Sequence, residues 1–81
     1  MKEYYIIIFK NTHDVINGEK FLKEKGVKVN VMPTPALITQ SCGISIKIDS
    51  EYIDMVKKFV EQDQLVVKNI YRRNDRGYTQ L

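Results

Sequence analysis

Tyr4-Tyr5-Ile6-Ile7-Ile8-Phe9 is a continuous run with no polar position to turn toward water. A segment this short and this rich in β-branched and aromatic side chains reads as a strand buried on both faces, which places it in the middle of a sheet. It falls far short of the ~20 apolar residues that cross a bilayer, and no charged-then-apolar leader opens the chain, so a cytoplasmic protein off the membrane is expected. Ile and Val together number 18 against 4 Leu, a balance that suits a pleated surface better than a helical bundle. With 81 residues in all, the sheet has one core to share with whatever helices cover it.

Those helices are legible. Asn11, Thr12 and Asp14 follow the first strand, and Thr12 reads as the N-cap of a helix that runs to about Lys25 and stops at Gly26. Its apolar side comprises Val15, Ile16, Phe21 and Leu22, with Gly18 permitting close approach to the sheet. A second helix is predicted over 51–62, capped by Asp49 or Ser50, with Tyr52, Ile53, Val56, Phe59 and Val60 at helical spacing. Val27, Val29 and Val31 alternate with Lys28, Asn30 and Met32, and Ile44, Ile46 and Ile48 with Ser45 and Lys47. That period describes two strands with one face on the core and the other in water. Leu65 to Tyr71 supplies a final strand, and residues 74–81 are expected to trail as a polar tail after a domain spanning 1–73.

The order β-α-β-β-α-β points to an α+β, ferredoxin-like fold, with two helices on one face of a four-stranded antiparallel sheet. In that arrangement the first two strands run one way and the last two the other. Thr12, His13 and Asp14 then share one end of the sheet with the connection 33–43, and the basic cluster Arg72, Arg73 and Arg76 lies at the opposite end. The net charge of +3 is concentrated there, since these arginines with Asp75 contribute +2 and the rest only +1.

The connection is longer than the ~2–5 residues of an ordinary hairpin loop. Pro33 and Pro35 stiffen its entry, Thr34-Pro35 is an N-cap and N1 pair for one helical turn, and Gly43 suits either an unusual backbone angle or close approach to Cys42. Cys42 is the one strongly nucleophilic side chain in the sequence. Free cysteine is also among the most buried residue types, so by itself Cys42 reads equally well as a small hydrophobe. What raises its standing is the helix amino end and His13 at the same end of the sheet, both of which favour a thiolate. One Cys and one His make neither an internal disulfide nor a zinc site, so no metal or cofactor is expected. Glycine phosphate loops and paired catalytic carboxylates are absent from the sequence. Tyr4, Tyr5 and Phe9 invite comparison with an RNA-binding sheet, but the third strand offers isoleucines where that module needs aromatics, so nucleic acid is not expected as a partner.

Thr12-His13-Asp14 with Glu19-Lys20, then Met32-Pro33-Thr34-Pro35, then Ser41-Cys42-Gly43 before alternating aliphatics together resemble the selenium/sulfur carrier-like family of small bacterial proteins. The resemblance runs over roughly residues 4–48 and departs from the family pattern at Ala36 and Leu37, where an arginine and an acidic residue are usual. It implies a non-catalytic carrier that accepts persulfide or selenide on Cys42. The surrounding loop would comprise Thr12, Pro33, Thr34, Pro35, Ser41 and Gly43, with His13 stabilising the thiolate. A cysteine desulfurase or another sulfur or selenium donor, and an acceptor protein, are the implied partners. The competing reading is a small regulatory module that homodimerises, with Cys42 structural.

Overall fold

The apolar run becomes β1 (Tyr4–Ile8), the middle strand of a five-stranded sheet ordered β2-β3-β1-β4-β5. The computed structural model describes residues 3–36, 38 and 43–81. Around β1 stand β2 (Val29–Pro33), β3 (Ile44–Asp49), β4 (Asn69–Asn74) and β5 (Gly77–Gln80), every neighbouring pair antiparallel. Ile6, Ile7, Ile8 and Phe9 are fully buried, as a strand without polar positions requires.

Two helices, α1 (Thr12–Glu24) and α2 (Ile53–Glu61), cover one face. Val15 and Leu22 from α1 and Ile53 and Val56 from α2 pack with Tyr5, Ile7, Ile46, Ile48 and Ile70. Phe21 and Phe59 join the helices edge to face, ring centroids 5.1 Å apart. Both helices end alike. Val27 N–H returns to the Leu22 carbonyl and Gln64 N–H to that of Phe59, each across a residue in the left-handed region, Gly26 (φ 81°) and Asp63 (φ 58°). The molecule is thus α+β, with a fully antiparallel sheet.

Several expectations need correcting. The sheet has five strands, because residues 75 and 76 make a tight turn and Gly77–Gln80 pairs with β4 instead of trailing as a polar tail. Asn11, one residue before Thr12, is the N-cap of α1, its side chain accepting from Asp14 N–H at 2.8 Å. Ile16 is 57% exposed, since Val15, Gly18 and Leu22 already fill the contact with the sheet. Val31 shares the inner face with its partner Ile46 but is 43% exposed on the edge strand β2. The second helix begins with a 3₁₀ turn, Ser50–Tyr52, and the last strand of the four predicted starts at Asn69 rather than Leu65.

The strand directions put the β1 exit, the start of α1 and the β2–β3 connection at one end of the sheet, and the β4–β5 turn with Arg76 at the other. Because β5 turns back, however, the last residues return toward the first end, and Leu81 N–H bonds the Ile70 carbonyl.

Gly18 gives this packing a sharp test. A Cβ there would stand 2.8 Å from Cε2 and Cζ of the fully buried Phe9 ring. Helix propensity favours alanine over glycine by about 1 kcal/mol, whereas overpacking a core costs about 1–3 kcal/mol. Gly18→Ala is therefore expected to lower the unfolding free energy in urea, and a stabilised variant would show that the ring yields.

Candidate functional site

The β2–β3 connection is gathered at its neck. Pro33 pairs with Ile44 as the last rung of the ladder, on an edge strand where a residue without an N–H is tolerated. Beyond it Thr34 N–H donates to the Gly43 carbonyl at 3.0 Å, tying the two ends of the connection together. The Thr34 hydroxyl also pairs with that of Ser45, a side chain with no exposed surface. Burial of a hydroxyl without a partner is costly, so Thr34 answers a need created by Ser45. Pro35 then starts a single turn closed by Ile38 N–H on its carbonyl at 3.0 Å.

That turn carries Ile38 onto the sheet face opposite the helices. Ile38 is 4% exposed and packs with Ile6 and Ile8, flanked by Tyr4, Met32, Tyr71 and Tyr78. The sequence pattern assigned this face of β3 to water, and the burial of Ser45 overturns that at the centre of the sheet. Sequence reasoning missed Ile38 as a core residue and Ser45 as the partner of Thr34. A solitary isoleucine in a proline-rich loop has no periodicity to reveal its destination.

The predicted site residues fall into three groups. Pro33, Thr34, Pro35 and Gly43 line the neck together. Thr12 and His13 are the first two residues of α1, both exposed, and they share the end of the sheet with the neck but not the face on which Ile38 lies. Ser41 and Cys42 lie outside the described residues. Gly43 is exposed, and among the described residues no atom lies within 4 Å of where its Cβ would stand. Crowding by the described residues does not explain this glycine.

A cleft of about 340 Å³ lies at the start of α1, bordered by Asp14, Asn17 and Val66. At the far end of the sheet Tyr5 donates to Glu3 at 3.3 Å, and Glu3 lies 3.7 Å from Arg72. Burial first, and the Glu3 carboxylate second, hold the Tyr5 phenol above its ordinary 10.0. Among the described residues no group of three His, Cys, Asp or Glu side chains could hold a metal ion, and no helix is long and apolar enough to cross a membrane.

The neck makes its own prediction. Thr34→Val strands the buried Ser45 hydroxyl and should cost about 1–3 kcal/mol in urea unfolding, with part of that loss recovered in the Thr34→Val, Ser45→Ala double variant. Additive losses would mean that the two hydroxyls do not depend on each other.

No curated protein and no solved structure matches the chain. A family does: residues 4–72 match the family described as "Putative Se/S carrier protein-like", a span that takes in the first three strands, both helices, the Cys42 connection and the first four of the six residues of β4. The chain belongs to that family.

Proposed function

We propose that this protein carries sulfur or selenium on Cys42. The Cys42 thiolate attacks the terminal atom of a donor persulfide or its selenium counterpart. A bond from Cys42 to that chalcogen forms, the bond within the donor breaks, and the donor leaves as a thiolate without net oxidation. Attack by an acceptor nucleophile on the terminal chalcogen then returns Cys42 to the thiolate. A cysteine desulfurase fits the donor chemistry. The protein contributes a presented nucleophile and no bond-making catalysis of its own.

The observation that carries this reading is the family match across the whole Cys42 connection, with the exposed Gly43 next in sequence to the thiol. Two macromolecular partners must reach one chalcogen, and a β-carbon at residue 43 would stand in their way. Pro33, Thr34 and Pro35 serve as the rigid side of the neck, and Ser41 and Gly43 flank the thiol in sequence. Thr12 and His13 at the amino end of α1 supply positive potential at the same end of the sheet. The order β4-β1-β3-β2 with both helices on one face supports a ferredoxin-like frame, to which β5 is an addition. A thiol that works reduced suits the cytoplasm.

Intact-mass analysis after incubation with a desulfurase and cysteine, or with selenocysteine and its lyase, should find one sulfur or selenium on the parent protein and none on Cys42→Ala. Equal loading of both rejects Cys42, and a Cys42-independent dimer without loading favours the interaction module. Alkylation followed against pH should place the thiol below the ~8.5 of a free cysteine, with His13→Ala moving it only part of the way back. Gly43→Ala should keep or slightly raise stability, by about 0.4–1 kcal/mol, while slowing transfer from the donor enzyme more than alkylation by a small reagent.

A further inference from the structure

The face opposite the helices carries a lattice of aromatic and cationic side chains. Across one register row stand Asp49, Tyr4, Arg73 and Tyr78, from β3, β1, β4 and β5. The next row reads Asn30, Lys47, Ile6, Tyr71 and Gln80. Tyr71 therefore lies diagonal to both Tyr4 and Tyr78, positions about 7–8 Å apart in antiparallel pairs. Lys47 Nζ sits 4.5 Å from the Tyr4 ring centre, and the Arg73 guanidinium carbon 4.7 Å from that of Tyr78. Neither cation is in an ion pair among the described residues, so their charge stays available to an anion. Arg76, in the turn between β4 and β5, adds a third positive charge along the same margin. Asp49, at the β3 side, is the single carboxylate of the two rows, and Asp75 stands beside Arg76 in the turn, so that Arg73 and Arg76 leave the β4–β5 side one positive charge in excess.

We infer that this face binds single-stranded RNA, with bases stacked on Tyr4, Tyr71 and Tyr78 and phosphates held by Lys47, Arg73 and Arg76. Three tyrosines on neighbouring strands, two of them under a cation, match a strand of π faces linked by anions better than they match an acidic peptide, whose carboxylates make no use of the rings. A polar line beside the rings favours RNA over DNA. Tyr71 donates to Gln80, and the Gln80 amide donates to Asn69 at 3.0 Å, an exposed run of donors and acceptors suited to a 2′-hydroxyl. The third-strand isoleucines that argued against an RNA-binding sheet face the helices, and the aromatics come instead from β1, β4 and β5. The inference does not rest on the carrier reading, because Cys42 takes no part in it.

The test is fluorescence anisotropy of a labelled 12-nucleotide single-stranded RNA of mixed sequence, titrated with the full chain at several salt concentrations. Binding should weaken steeply with salt. Lys47→Gln and Arg73→Gln should each weaken it and lower the salt slope by about 1. Tyr78→Leu should lose about tenfold, while Tyr78→Phe, which keeps the stacking face, should stay near the parent. Circular dichroism melts show which variants fold, and Lys47, on a different strand from Tyr78, keeps the question answerable if one variant does not. Cys42→Ala should bind as the parent does, whatever its loading with sulfur. Failure to bind the RNA at low salt, or binding indifferent to all three weakening substitutions, overturns the inference. Equal affinity for DNA of the same sequence overturns the RNA assignment, and displacement by a polyglutamate peptide of equal charge transfers the face to an acidic protein partner.

Discussion

A strand with no polar residue needs cover on both faces, and the architecture of this chain is the answer to that need. Two helices supply one cover, bringing Val15, Leu22, Ile53 and Val56 onto Ile7 and its neighbours. Among the described residues no third helix covers the other face, and Ile38 supplies cover there by packing on Ile6 and Ile8. The connection is long because it has a core to close as well as two strands to join. The same fold-back anchors the connection at Ile38 and at its neck.

The family motif gains a physical division of labour from this arrangement. Pro33 ends the ladder, Thr34 satisfies Ser45 and closes the neck, and Pro35 opens the turn that delivers Ile38. These residues are occupied in building the loop, whereas no described residue crowds Gly43. The same short stretch of sequence thus combines structural residues with one whose role the fold itself does not explain.

Legibility in the sequence followed the range of the forces involved. Period-two alternation and the apolar run revealed the inner face, because those signals depend only on neighbours in the chain. Gly26 announced the end of α1, but Asp63 ends α2 in the same left-handed conformation without a glycine to mark it. At the start of α1, Asn11 and Thr12 both have capping side chains, and only the bond from Asp14 N–H to Asn11 separates them. Asn74-Asp75-Arg76-Gly77 did carry a turn signal, with Gly77 at φ 113° and Arg76 N–H on the Asn74 side chain, so β5 was within reach of the sequence. The burial of Ser45 and Ile38 was not, because each depends on a residue from another part of the chain. For the candidate site, Pro33, Thr34, Pro35 and Gly43 were recognised as a group from the motif, although the partner of Thr34 was not.

The two outer strands have a further consequence for the life of the molecule at high concentration. An open sheet edge is a template on which another chain can add a strand, and repeated addition leads to polymers. Here β2 closes on Pro33, which offers no N–H, and β5 is only four residues long and begins at a glycine. Both margins are poor templates. Copies of this chain that meet are thereby steered away from edge-to-edge growth, and any lasting encounter has to be made through a face, where side-chain chemistry can choose the partner.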